Sequence, residues 1–152
     1  MQDVTIVEVV LLSAEAGTLR YRTVSAPLPA GPHPDDLALR LSGLTLCTPG
    51  AVLHSTSWRF EREAVVLTYA ALPDPAPQPG AARVAVDRMV SGGAALAPSP
   101  PAVDPDAVAA HAARHLALLV GTDPVVAEAA ALQPEIWDLL AKLPAGLAGA
   151  LR

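Results

Sequence analysis

The sequence predicts an α+β domain in which a mainly antiparallel sheet, in the order β-β-α-β-β-β, is followed by two to three carboxyl-terminal helices. The first part of the chain alternates short β-branched runs with turn residues, whereas the last third repeats apolar side chains at helical spacing. At 152 residues the chain can bury one hydrophobic core but is short for two ordinary domains. We therefore expect a single domain over residues 1–152.

The amino-terminal segment predicts a hairpin and a short helix. β-Branched residues dominate Thr5 to Leu12, and an AEAG turn leads into the alternating segment Thr18 to Val24. Pro34 to Ser42 then predicts a helix, with proline at its first position, two aspartates in its first turn and Gly43 as its stop.

A second hairpin, Ala51 to Leu72 with its turn at Glu61-Arg62-Glu63, holds most of the large aromatic side chains. Strict alternation in its first strand would place five side chains on one face: Val52, His54, Thr56, Trp58 and Phe60. The other face would carry Leu53, Ser55, Ser57 and Arg59. The second strand is apolar on both faces and predicts a central strand. Trp58 is expected in the core, where Trp58→Ala would cost about 3–5 kcal/mol.

The rest of the chain predicts a strand and then helices. Proline-rich links flank a strand at Ala82 to Val90. Asp104 suits an N-cap for a helix that ends at Gly121, a second helix should end at Leu132, and a third should span Pro134 to Leu143. The tail, residues 144–152, is expected to fray.

Composition excludes several classes. No run reaches the roughly 20 apolar residues that a membrane-spanning helix needs, and the acidic Asp3 and Glu8 do not suit a secretory signal. A lone Cys47 allows no intrachain disulfide and is typical of a reducing cytoplasm. The net charge of -5, with dispersed basic residues, argues against nucleic-acid binding. We therefore expect a cytoplasmic protein without a membrane or nucleic-acid partner. The low lysine content, with abundant alanine, proline, glycine and arginine, is typical of a GC-rich bacterial genome.

One candidate metal site rests on His111 and His115, whose i, i+4 spacing places both imidazoles on one helix face. Zinc would need further ligands, which the fold would have to supply from a set of four residues: His54, Glu128, Asp106 and Cys47. The alternative is a partly exposed pair bordering an alanine-rich helix.

A candidate ligand site lies in the HSTSWR segment. Ser55, Ser57 and Arg59 on one strand face could bind a small polar or anionic ligand, or could form an ordinary solvent face. Serine catalysis is disfavoured, because neighbouring strand residues point to opposite faces and His54 cannot readily act as a base for Ser55.

The segment RHLALLVGT resembles the second half of the Nudix hydrolase signature, with Arg114, Leu116 and Gly121 at matching positions and Asp106 at the earlier acidic one. The resemblance implies a phosphate contact for Arg114. The sequence departs from the signature elsewhere: His115 replaces an acid, Pro100 replaces the opening glycine, and Leu118 and Leu119 replace metal-binding glutamates. The chain also resembles uncharacterised bacterial proteins with an HSTSW strand.

These features favour a ligand- or partner-binding domain, Nudix-like in a degenerate form, with no cofactor and no catalytic residue assigned. The alternative is a metal-dependent hydrolase that uses His111 and His115, and a third possibility is a structural or oligomerising module. A homodimer through the last helix, around Ile136, Trp137 and Leu140, is also predicted because the chain is apolar for its size.

Overall fold

The computed structural model of the chain describes residues 4–45, 47–79, 81–84 and 104–143. Its strands are β1 (Val4–Glu15), β2 (Thr18–Pro27), β3 (Val52–Glu61), β4 (Ala64–Leu72) and β5 (Ala82–Arg83). Its helices are α1 (Pro34–Ser42), α2 (Pro105–Thr122), α3 (Pro124–Ala130) and α4 (Pro134–Leu140). The predicted α+β class, with a mostly antiparallel sheet and late helices, is confirmed.

Two hairpins build the sheet. The strands β1 and β2 pair antiparallel, as do β3 and β4, and the two hairpins meet where β1 and β4 pair in parallel. The resulting order β3-β4-β1-β2-β5 places β4 in the interior of the sheet, as its two-sided apolar pattern predicted, and leaves β3 at an edge.

Most element boundaries lie within three residues of their predicted positions: β1 and β2 extend to Glu15 and Pro27, and α3 and α4 end at Ala130 and Leu140. The bounds of α1 are as predicted, and its Gly43 cap adopts φ 74, a left-handed conformation that favours glycine. In the β3–β4 turn, Arg62 and Glu63 adopt φ 50 and φ 64. Of the predicted strand at Ala82 to Val90, the structure describes only the part up to residue 84. The remainder, most of the second proline-rich link and the tail at 144–152 lie outside the described residues.

Alternation in β1 divides the core between two layers. On one face, which we call the α1 face, Val7, Val9 and Leu11 pack with α1 residues such as Leu37. On the other, the α2 face, Val10 and Leu12 pack beneath side chains from α2 and α4, including Leu116, Ile136 and Leu140. Each face of the sheet therefore has its own helical layer.

Two buried tyrosines of the sheet form hydrogen bonds with the helical layers. The Tyr69 hydroxyl donates a hydrogen bond to Asp35 in the first turn of α1, and the Tyr21 hydroxyl donates one to Asp106 in the first turn of α2. Burial, reinforced by these carboxylates, raises the pKa of both tyrosines. The two aspartates therefore join helix to sheet in addition to interacting with the helix dipoles.

The predicted dimer surface on α4 is wrong. Ile136, Trp137 and Leu140 are only 5%, 6% and 0% exposed, because they pack onto the α2 face of their own sheet. These three side chains therefore belong to the core, and the homodimer itself stays a prediction.

None of the helices in the described part of the chain is both long and apolar enough to cross a membrane.

Candidate functional site

Three of the candidate residues, Ser55, Ser57 and Arg59, lie on the edge strand β3, which carries a bulge in its middle. Ser55 pairs with Tyr69 and Ser57 with the next residue along, Thr68, so Thr56 is an extra residue in the ladder. An extra residue reverses which side chains face which layer from that point on. The bulge therefore divides β3 into two halves with opposite alternation.

The expectation that Ser55, Ser57 and Arg59 share one face is therefore wrong. Ser55 lies on the α1 face opposite Tyr69. Ser57 lies opposite Thr68, and Arg59 bonds to Thr68 and to Glu8, whose side chains are on the α2 face. The bulge, which strict period-two alternation omits, separates the three residues.

Arg59 is held in a network of carboxylates. Its Nη1 and Nη2 donate to Glu8 Oε1 and Oε2 at 3.0 and 3.3 Å, and its Nε donates to Glu61 Oε1 at 2.7 Å. Burial alone would lower the pKa of Arg59, but the bonds to Glu8 and Glu61 raise it above its ordinary value. Two carboxylates already neutralise this guanidinium, so Arg59 is poorly suited to the anion that the sequence suggested.

Ser55 lines a shallow cleft between β3 and α1, with a volume of about 460 Å³. Its wall contains apolar side chains and two exposed carboxylates. The lining residues besides Ser55 are Asp35, Asp36, Leu39, Leu53, His54 and Tyr69. The charged side chains of this cleft are acidic, which favours a cationic group over an anionic one.

Trp58 and Phe60 lie on the α1 face and are 69% and 62% exposed. They stand opposite Leu67 and Val65 of β4, which are themselves only partly buried. The expectation that Trp58 is a core residue is therefore wrong, because the bulge turns it away from the carboxyl-terminal helices. Two adjacent exposed aromatics on an edge strand form the apolar surface that we call the β3 aromatic patch.

Three of the four histidines lie together between β3 and α2. The ring centroids of His54 and His115 are 6.0 Å apart, and those of His111 and His115 are 6.3 Å apart. Burial lowers the pKa of both His111 and His115. A hydrogen bond to the Thr56 backbone opposes this effect at His111, whereas the charge of Arg114 reinforces it. The fold thus brings His54, but none of the acids considered with it, beside the predicted pair.

Arg114 is only 6% exposed on α2. Its charge acts on His111, which places it near the histidines rather than near Ser55. The structure therefore does not unite the four residues predicted to contact a ligand into one site.

The sequence signals differ in how readable they were. Glu8 is a charged residue in the middle of a β-branched run, and that anomaly marks the Arg59 network. The β3 aromatic patch had no such signal, because an exposed tryptophan in a strand looks the same in sequence as a buried one.

No family model matches the chain, and no curated protein is similar to it in sequence.

Proposed function

We propose that this domain is a non-catalytic binding module whose edge strand β3 receives an extended segment of a protein partner. The exposure of Trp58 and Phe60 carries the proposal. Aromatic side chains are enriched where proteins bind each other, because they supply a large contact area at a small entropic cost.

The position of β3 supports strand addition. Among the strands in the described residues, β3 has β4 on one side and no neighbour on the other. An extended segment could therefore pair with its backbone, and side chains at alternate positions of that segment would contact the β3 aromatic patch. The partner should accordingly carry apolar residues at every second position.

The charges beside β3 indicate which kind of partner segment would bind. The cleft beside Ser55 has Asp35 and Asp36 in its wall and lies on the same face as Trp58. Strand geometry puts Ser55 about 10 Å from Trp58. A basic side chain two or four residues from the apolar contact would point to the same side of the segment and meet these carboxylates. The proposed occupant is therefore an apolar segment flanked by lysine or arginine.

A selection from a random-peptide display library tests this function. We expect the domain to enrich peptides with alternating apolar residues and a basic residue, and we expect the Trp58→Ser/Phe60→Ser variant to bind them more than about tenfold more weakly. The matched control is Val125→Ser/Leu132→Ser, which removes two apolar residues that are 75% and 60% exposed elsewhere. The function is excluded if enriched peptides bind all three proteins equally.

A second copy of the chain is the other occupant to consider. If light scattering shows a dimer and Trp58→Ser/Phe60→Ser dissociates it, the partner at β3 is a second copy of the chain and not a peptide of another protein. A monomer at high micromolar concentration would exclude that assembly.

The metal-dependent hydrolase is less well supported. A hydrolase using His111 and His115 needs an acid nearby, and their imidazole neighbour is His54. Asp106, the acid on the same helix, is engaged by the Tyr21 hydroxyl.

For the Nudix-like reading, we expect no turnover of nucleoside diphosphate derivatives with Mg²⁺ or Mn²⁺. That chemistry needs several carboxylates on the catalytic helix. Within α2 and its N-cap only Asp104 and Asp106 are acidic, and Asp104 accepts the Asp106 backbone N–H as the N-cap. The measurement is product release over a substrate panel, and metal-dependent turnover that Asp106→Ala abolishes would contradict this expectation.

We further propose that the module works in the cytoplasm. The lone cysteine, Cys47, is exposed, as a thiol in a reducing compartment can be.

A further inference from the structure

His54 and His111 make backbone hydrogen bonds of the kind that metal-binding histidines make with their outer ring nitrogen. His54 Nδ1 lies 3.1 Å from the Ser55 carbonyl oxygen, and because a carbonyl can only accept, Nδ1 carries the proton and Nε2 keeps its lone pair. His111 also has a hydrogen bond with the Thr56 backbone. Histidines that bind metals usually donate their second ring N–H to a backbone carbonyl or carboxylate, which fixes ring and tautomer.

The third histidine has a buried nitrogen that nothing satisfies. His115 Nδ1 has no hydrogen-bond partner among the described residues, although its ring lies between those of His54 and His111. A buried nitrogen without a partner is unfavourable, and an ion coordinated by that nitrogen would supply one.

Two of the ring separations are close to those of a three-histidine site. Imidazoles that share one tetrahedral ion at about 2.0–2.1 Å have ring centroids roughly 5 Å apart. The observed separations are 6.0 and 6.3 Å. As the rings stand, no three His, Cys, Asp or Glu side chains in the described ranges are arranged to hold an ion. Binding an ion would therefore require neighbouring rings to approach by about 1 Å through rotation about their side-chain torsions.

We infer that His54, His111 and His115 form a binding site for a single divalent ion of the zinc, nickel or copper class. Imidazole nitrogens suit these ions, whereas Mg²⁺ and Ca²⁺ prefer oxygen ligands. Because two ligands come from α2 and one from β3, the ion would tie the edge strand to the helical layer. The fourth position would be left to solvent.

The test is titration of untagged, metal-stripped protein with Zn²⁺ or Ni²⁺ by calorimetry, in a Cys47→Ser background that removes the one thiol. We expect one ion per chain and a rise in the thermal midpoint on metal addition. His54→Gln and His115→Gln should each weaken binding by at least about 100-fold and abolish the rise in the midpoint. Co²⁺ should give the intense visible absorption of a four-coordinate complex.

The fourth histidine provides a matched control. His33 is the N-cap of α1, where its side chain accepts the Asp35 backbone N–H. His33→Asn therefore removes an imidazole but keeps a capping side chain. This variant should bind metal like the parent protein. The inference is overturned if the parent protein does not bind either ion in the titration, or if folded His54→Gln and His115→Gln variants, verified by circular dichroism, bind as tightly as His33→Asn.

Discussion

Replacing Trp137 with alanine should lower the free energy of unfolding by about 3–5 kcal/mol, whereas Trp58→Ala should change it by less than about 0.5 kcal/mol. Trp137 is 6% exposed and packs in the core of the α2 face, so its removal leaves a large cavity. Trp58 is 69% exposed, and its loss removes little buried contact. Because domains of this size are stable by only about 5–15 kcal/mol, the first change should unfold a substantial fraction of marginally stable protein.

Urea unfolding followed by far-ultraviolet circular dichroism measures both variants, since tryptophan fluorescence would change with the substitution itself. The two tryptophans are the only ones in the chain, so each variant is the control for the other. A cost at Trp58 equal to that at Trp137 would contradict this assignment and would mean that the β3 aromatic patch is covered in solution.

The two tryptophans also show how far the sequence could determine the fold. Most elements followed from local signals: Pro34 with its two aspartates and Gly43 delimit α1, and alternation with turn residues delimits the hairpins. The structure has these elements where the signals predict them. Whether Trp58 faces a helix or solvent depends on Thr56 entering the ladder as an extra residue, which is a property of pairing between β3 and β4 and not of either strand alone.

The candidate sites divide in the same way. Helical spacing alone placed His111 and His115 on one face, and the pair is indeed together. The addition of His54 required the three-dimensional arrangement of β3 against α2, so the sequence could only offer it among four choices. Ser57 and Arg59 were expected on the same face as Ser55, and the extra residue Thr56 in the ladder places them on the other one. The Arg59 partners Glu8 and Thr68 come from two other strands, β1 and β4.

Asp74→Ala should destabilise the domain by about 3 kcal/mol, because it removes one partner of a buried ion pair. The Asp74 side chain is 1% exposed, and its two oxygens accept from Arg22 Nε at 2.7 Å and Nη2 at 2.9 Å. The same carboxylate accepts the backbone N–H of Ala76, and the Asp74 N–H donates to the Leu12 carbonyl. The change removes the three hydrogen bonds of the carboxylate and leaves Arg22 without its partner. The proline-rich segment after β4 then keeps only the backbone bond to Leu12 from this residue.

The side chain of Arg22 is 23% exposed, so water can hydrate part of the freed guanidinium and keep the cost towards the lower end for broken buried pairs. Glu15→Ala is the matched control, since it breaks the pair with Arg20 on the same strand, where the Glu15 side chain is 60% exposed. An exposed pair of that kind contributes about 0–1 kcal/mol. Chemical unfolding of both variants, together with Arg22→Ala and the double variant, gives the coupling energy between Arg22 and Asp74. Because the pair is bidentate and one partner is almost fully buried, we expect a coupling well above that of the exposed pair, and equal costs for Asp74→Ala and Glu15→Ala would show that the segment after β4 is held by something other than Asp74.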